Sequence, residues 1–191
     1  MKKILLGLLL YSLTYNAYCQ EKSLYSGGML FFQPGYTRYQ NQSQEISNFS
    51  FGLGGLLRFY PTKHLCVGLA GGTQKAKYIT SGSVNSYISL GYGGLIFGYT
   101  FIHGKMRFCA NIGLARGRLK NLHITQQNGS IINQGDFYSY GAWVVYPSLS
   151  FDYMLTKKIS FTTQLIHLSA VYNENDLYFC PVFQLGVLFN R

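Results

Sequence analysis

Acidic side chains are scarce: Asp and Glu together number six in 191 residues, and charged residues of both signs reach only 12%, about half the share of an ordinary soluble domain. The charged coat of a globule in water is therefore missing, as are the charge blocks of a disordered chain or a coiled coil. Proline is limited to four residues and tryptophan to one. There is no Cys-x-x-Cys pair and no Cys/His cluster, which excludes the usual zinc sites. The run Gly71-Gly72-Thr73-Gln74-Lys75 lacks the spacing of a phosphate-binding loop. No metal and no cofactor is expected. Past the N-terminal segment no apolar run approaches the ~18 residues of a membrane-crossing helix. What is abundant is glycine (22), tyrosine (17) and phenylalanine (14), in a chain that is 48% apolar and long enough for one domain.

The first residues read as an address. Met1-Lys2-Lys3 precedes the apolar run Ile4–Leu10, and Ala17-Tyr18-Cys19 precedes Gln20. A short basic segment, a short apolar one and small residues at −3 and −1 of a cut after Cys19 have the form of a bacterial secretory signal. Tyr18 is bulky where a lipidated cysteine wants a small neighbour. Residues 1–19 are expected to be removed, leaving one barrel domain over residues 20–191. Lys2 and Lys3 leave with the signal, so 14 of the 16 basic residues remain against six acids.

From there the dominant pattern is alternation with period two, the mark of a sheet with one apolar face. Phe49, Phe51, Leu53, Leu57 and Phe59 alternate with Ser50, Gly52, Gly54 and Arg58. Trp143, Val145, Leu149, Phe151 and Tyr153 alternate with Ala142, Ser148, Ser150 and Asp152. Phe179, Phe183, Val187 and Phe189 alternate with Val182, Gln184 and Gly186. Further strands are expected at Gly28–Tyr39, Leu65–Lys77, Tyr87–Phe101 (with a bulge near Gly93-Gly94), Met106–Lys120 and Ile159–Ser169. That makes eight. Short connections at Pro61–His64, His103–Lys105 and Thr156–Lys158 alternate with long polar ones at 40–47, 78–86, 121–136 and 170–178, as in an outer-membrane up-and-down barrel. Eight strands of ~10 residues use about 80 residues. Ten strands also fit the length; a wide pore does not.

Alternation alone is shared by soluble and membrane barrels. The second face discriminates: in water it should be studded with Lys and Glu, yet here it is mostly Gly, Ser, Thr, Gln, Asn and Tyr, with Arg58, Arg107 and Asp152 as rare charges. Small polar residues suit a narrow lumen, and the aromatic face suits lipid with interfacial girdles. The fold expected is an all-β, transmembrane, antiparallel up-and-down β-barrel.

The signal followed directly by Gln20, the turn Phe59-Tyr60-Pro61-Thr62-Lys63-His64-Leu65, the strand Gly91-Tyr92-Gly93-Gly94-Leu95 and the closing Phe183-Gln184-Leu185-Gly186-Val187-Leu188-Phe189 resemble the small eight-stranded outer-membrane β-barrel proteins of Gram-negative bacteria, particularly those of Bacteroidota. The resemblance covers nearly all of the chain after the signal, as a pattern of strands. It implies an outer-membrane location after signal cleavage. An aromatic residue usually ends such chains; here Asn190 and Arg191 follow Phe189.

Three groups of residues carry possible chemistry. Arg58, Arg107 and Asp152 share the lumen parity near the short-turn end, where a charge is costly unless paired, so an ion-pair network is expected. Arg38, Lys75, Lys77, Arg116, Arg118 and Lys120 fall on the lipid-facing parity near strand ends, within reach of lipopolysaccharide phosphates. His167 and Ser169 are two apart and share one face of their strand, with Glu174 beyond. A His that takes a Ser proton, oriented by a carboxylate, is a set of parts for acyl transfer. This His-x-Ser resembles that of the lipid A 3-O-deacylases, eight-stranded barrels with an outward-facing site. Their following Asn is Ala170 here, and Phe179, Cys180 and Pro181 stand where their Glu lies. No catalytic residue is assigned.

Cys66 and Cys109 share the lumen parity with one strand between theirs, about 10 Å apart and beyond the ~7 Å reach of a disulfide. Cys66, Cys109 and Cys180 are therefore expected as free, buried thiols. The expected partners are outer-membrane lipid and lipopolysaccharide. No nucleic-acid partner is expected of a secreted barrel, and no protein partner is identified. The function expected is a structural or surface-interaction role in the cell envelope. The alternatives are a lipid A deacylase and an accessory barrel of a secretion or uptake complex.

Overall fold

The structure, a computed structural model, describes residues 25–40, 44–171 and 177–190; the expected signal at 1–19 lies outside them. Nine strands follow in chain order: β1 (Tyr25–Phe32), β2 (Gly35–Gln40), β3 (Glu45–Tyr60), β4 (Leu65–Thr80), β5 (Ser83–His103), β6 (Met106–Asn128), β7 (Ile131–Met154), β8 (Ile159–Val171) and β9 (Leu177–Asn190). There is no helix among the described residues. Strands β3 to β9 each pair antiparallel with their sequence neighbours. Strands β1 and β2 both pair with β3 on one side and with β9 on the other, so together they form one stave. Their division is local: Pro34 offers no N–H to the ladder. Mutual Gln33–Gly52 backbone bonds of 2.9 and 3.1 Å, and Phe183 N–H donating to the Pro34 carbonyl at 2.9 Å, carry the stave across the break.

The wall therefore closes as an up-and-down barrel of eight staves. Register partners lead from Met29 through Leu56, Ala70, Gly94, Ala115, Val144, Ala170 and Tyr178 to Tyr39, ten residues further along the first stave. A stagger of that size tilts the strands by about 40° and leaves room inside only for side chains. Closure also pairs the backbone groups of the wall on both sides, the condition for crossing hydrocarbon with strands.

Side chains alternate as the pleat demands. The outer face exposes Leu30 (73%), Leu53, Phe51, Leu149 and Trp143 (63%). Left in water, each such side chain would forgo about 1.5–3 kcal/mol of burial; in lipid that cost vanishes. The interior is not as polar as the sequence pattern implies. Met29, Phe31, Leu56, Ile88, Leu90, Ile96, Val144 and Leu168 are buried there with Tyr92, Tyr146 and Tyr178.

That apolar interior explains one correction. The bulge expected at Gly93-Gly94 is absent: Gly93 sits opposite Gly71 and Arg116 in unbroken register. Leu90, Tyr92 and Ile96 face inward while Leu95 and Phe97 face outward, so both parities read as apolar. The register shifts lie instead at Tyr78/Thr80 and between Ile124 and Gln127.

A second correction concerns 78–86 and 121–136, expected as loops. Both are mostly strand. β4 and β5 turn at Ser81-Gly82, and β6 and β7 turn at Gly129-Ser130, with Gly129 at φ 57, where other residues are strained. The β6–β7 hairpin continues past the barrel rim, and residues 131–139 are exposed whichever way their side chains point. Lys120, expected near a strand end, lies within β6, which runs on to Asn128.

Candidate functional site

Near the short-turn end the lumen holds the three expected charges in one group. Arg58 on β3 donates to both carboxylate oxygens of Asp152 on β7, at 3.2 and 3.1 Å, to Ser150 Oγ at 3.0 Å and to Gln164 Oε1 at 3.1 Å. Arg107 on β6 lies 3.9 Å from the same carboxylate, and its guanidinium carbon is 4.6 Å from the centre of the Tyr60 ring. Arg58 and Asp152 are fully buried. Desolvating such a pair costs several kcal/mol per ion, which only close geometry and further hydrogen bonds offset. Around it sit Cys66 and Cys109. These and Cys180 are free and buried, with Thr100 on the intervening β5 donating to Cys109 Sγ at 3.5 Å.

Two more polar tiers fill the bore. Midway, Gln33 Oε1 accepts from Tyr92 Oη at 3.2 Å and from Gln184 Nε2 at 2.8 Å, while Gln33 Nε2 donates to the Thr73 carbonyl at 2.6 Å. At the long-hairpin mouth, Tyr78 donates to Asn121 Oδ1 at 2.7 Å, Asn121 donates to Gln44 at 3.1 Å, and Gln44 meets His123 Nδ1 at 2.6 Å. Sequence reading missed Gln33, Tyr92 and Gln184 as a crossbar. Their inward parity was the available signal, masked by the Gln33-Pro34 interruption of the stave. Apolar side chains such as Leu90, Ile96, Val144 and Leu168 are buried between these tiers.

The outward cations divide into unlike sets. Arg38 is bound to Glu45 at 2.9 Å on the exposed rim. Lys75, Lys77, Arg116, Arg118 and Lys120 are all exposed on β4 and β6. β4, β5 and β6 contain no Asp or Glu. Lys75 Nζ lies 3.8 Å over the Tyr87 ring, and the Arg116 guanidinium carbon lies 4.9 Å over Trp143. Between them is a groove of about 460 Å³ whose walls include Thr73, Ser89, Gly91, Arg116, Arg118 and Lys120.

His167 and Ser169 share the outer face of β8, the first exposed and the second half-buried. Their register partners on β9 are Pro181 and Phe179, and the Phe179 ring stacks on His167 at 5.9 Å. No hydrogen bond joins His167 to Ser169 among the described residues, and β8 and β9 carry no carboxylate. Glu174 lies outside the described residues. The described geometry therefore brings together two of the three candidate groups, with an aromatic ring beside the imidazole.

At the level of sequence, no family profile and no curated protein matches the chain. Solved structures do match its fold. Neisserial surface protein A shares 11% identity and a TM-score of 0.58, over 85% of this chain and 96% of its own. Ail, the attachment invasion locus protein of Yersinia pestis, shares 11% identity and a TM-score of 0.56, over 89% of this chain and 100% of its own. The outer-membrane protein OprG from Pseudomonas aeruginosa shares 13% identity and a TM-score of 0.53, over 90% of this chain and 97% of its own. The chain thus has the fold of the small outer-membrane β-barrel proteins of Gram-negative bacteria.

Proposed function

We propose that the protein is an integral outer-membrane barrel that meets its surroundings through the β6–β7 ribbon and not by passing solute. One observation carries this reading: residues 131–139 are exposed on both faces, while the barrel beneath them turns buried side chains inward from every stave. β7 also pairs with β8 only as far as Trp143, opposite Val171. Among the described residues, the stretch 131–137 thus pairs with β6 alone, and its other backbone edge is a template for another extended segment. Its side chains combine the amides of Asn133 and Gln134 with the exposed surfaces of Ile131, Phe137 and Tyr138. In this reading the ribbon stands outside the cell and the three short turns face the periplasm, after removal of the signal. The acyl-transfer alternative lacks support from β8 and β9, which hold no carboxylate to orient His167.

The test has two arms. An epitope inserted between Gly129 and Ser130 is expected to be labelled on intact cells, and one placed within Thr156–Lys158 only after permeabilisation; the reverse pattern overturns the orientation. Cells carrying a barrel with 125–139 replaced by a tight turn are then compared with native cells for attachment to protein- and polysaccharide-coated surfaces. Equal attachment to every surface by a trimmed, correctly inserted barrel overturns the contact role.

A further inference from the structure

The outer face of β4, β5 and β6 combines three features that the wall elsewhere lacks together. It is cationic without any carboxylate on its own strands. Its charges stand directly above apolar wall: on β6, Phe108, Ile112 and Leu114 lead up to Arg116 on the same face. Its floor is bare. Arg118 lies between Gly91 on β5 and Gly141 on β7, and Arg116 between Gly93 and Trp143. Lys120 has Ser89 and Ser139 on either side. A Cβ at Gly91, Gly93 or Gly141 would meet no atom within 4 Å, so these glycines are not required by packing against the protein. They leave space on the outside of the barrel.

Strand glycine is disfavoured relative to β-branched and aromatic residues, and the membrane wall elsewhere uses large apolar side chains. Bare positions beside three cations therefore mark room for a bulky group that is both anionic and continuous with lipid. From the geometry we infer that Arg116, Arg118, Lys120 and Lys75 hold the phosphorylated headgroup of lipopolysaccharide. Gly91 and Gly93 let the sugar lie flat on the wall, and the acyl chains run down over Leu95, Leu114 and Phe97.

The stacking partners fit this task. Trp143 and Tyr87 hold the charged ends of Arg116 and Lys75 against the wall by cation–π contact, a contact with the ring face that uses no hydrogen-bond acceptor. Guanidinium groups bind phosphate in bidentate fashion. Low polarity just below the site reduces screening of the attraction. Arg38 does not belong to this site, because Glu45 already neutralises it.

The inference rests on insertion of the barrel in the outer membrane but not on a contact role for the ribbon. Its test uses purified, lipopolysaccharide-free protein in detergent, with retention of added lipid read by native mass spectrometry. The probes are diphosphoryl lipid A, the same lipid A after dephosphorylation, and phosphatidylglycerol. Native protein is expected to retain one diphosphoryl lipid A at least tenfold more strongly than either other lipid. Arg116→Gln with Arg118→Gln is expected to lose that preference, while Lys157→Gln with Lys158→Gln, in a short turn, keeps it. Gly91→Leu with Gly93→Leu retains every charge, and its added Cβ atoms meet nothing within 4 Å, so it is expected to fold, to show the native heat-dependent gel shift, and still to lose lipid A. Equal retention of all three lipids by native protein, or undiminished retention by either site variant, overturns the site. Neither result depends on whether the ribbon binds anything.

Discussion

Arg58 reaches across the lumen to Asp152 at 3.1 Å, with both side chains fully shielded from solvent. It is the only carboxylate that Arg58 meets among the described residues, and Arg107 leans on it too. Asp152→Ala is therefore expected to destabilise the barrel by about 3–5 kcal/mol, because it leaves buried cations without their anion. The double variant Arg58→Met, Asp152→Leu should recover the part of that loss due to Arg58, while Arg107 still loses its carboxylate. Urea unfolding of protein refolded into vesicles measures both. A double variant as unstable as the single one would show that the pair is not a coupled unit.

Two glycines predict opposite outcomes for the same substitution. A Cβ at Gly113 would run into the ring of Tyr146, its register partner on β7, whereas at Gly91 it meets nothing. Gly113→Val is expected to cost about 1–3 kcal/mol from overpacking, and Gly91→Val to leave the unfolding midpoint unchanged or raised. Comparable destabilisation by both would mean that lumen packing does not distinguish the two faces.

The thiols provide a probe of closure. Cys66, Cys109 and Cys180 are free and buried, and reaction requires an accessible thiolate. A small maleimide should leave all three unmodified in the folded barrel and label all three after unfolding, as read by intact mass. Rapid labelling of Cys66 or Cys109 in the folded protein would contradict the burial of both at the short-turn end.

His167 offers a fourth test. Phe179 is stacked beside it, and β8 and β9 hold no carboxylate that could orient its imidazole. Lipid A from cells expressing native protein and His167→Ala is expected to have identical acylation by mass spectrometry. Loss of one acyl chain with the native protein alone would establish the hydrolase and bring Glu174 into the site.

The wall was readable because lipid outside and close packing inside impose one period on Phe49–Phe59 and Trp143–Tyr153. Where that selection ends, so does legibility. Beyond the rim neither face of 125–139 need be apolar, so the stretch reads as a loop even though its backbone pairing continues, Gln126 opposite Gln134. The reverse problem arises at Gly93-Gly94, where two apolar faces concealed an unbroken strand. The outward cations were visible by parity, but pairing of Arg38 with Glu45 and the isolation of Arg118 between Gly91 and Gly141 depend on register across strands. Alternation within one strand carries no such information.

The uneven distribution of those cations gives the barrel a heading within the plane of the membrane. Arg38 is cancelled on the β2–β3 side, whereas β4 to β6 present uncompensated charge above bare glycines. A cylinder marked in this way is not equivalent under rotation about its long axis. Its anionic neighbours would gather along one arc, and other proteins sharing the crowded leaflet would approach more readily from the opposite, uncharged flank. Lateral order around the molecule would then be determined by a few glycines that support nothing inside it.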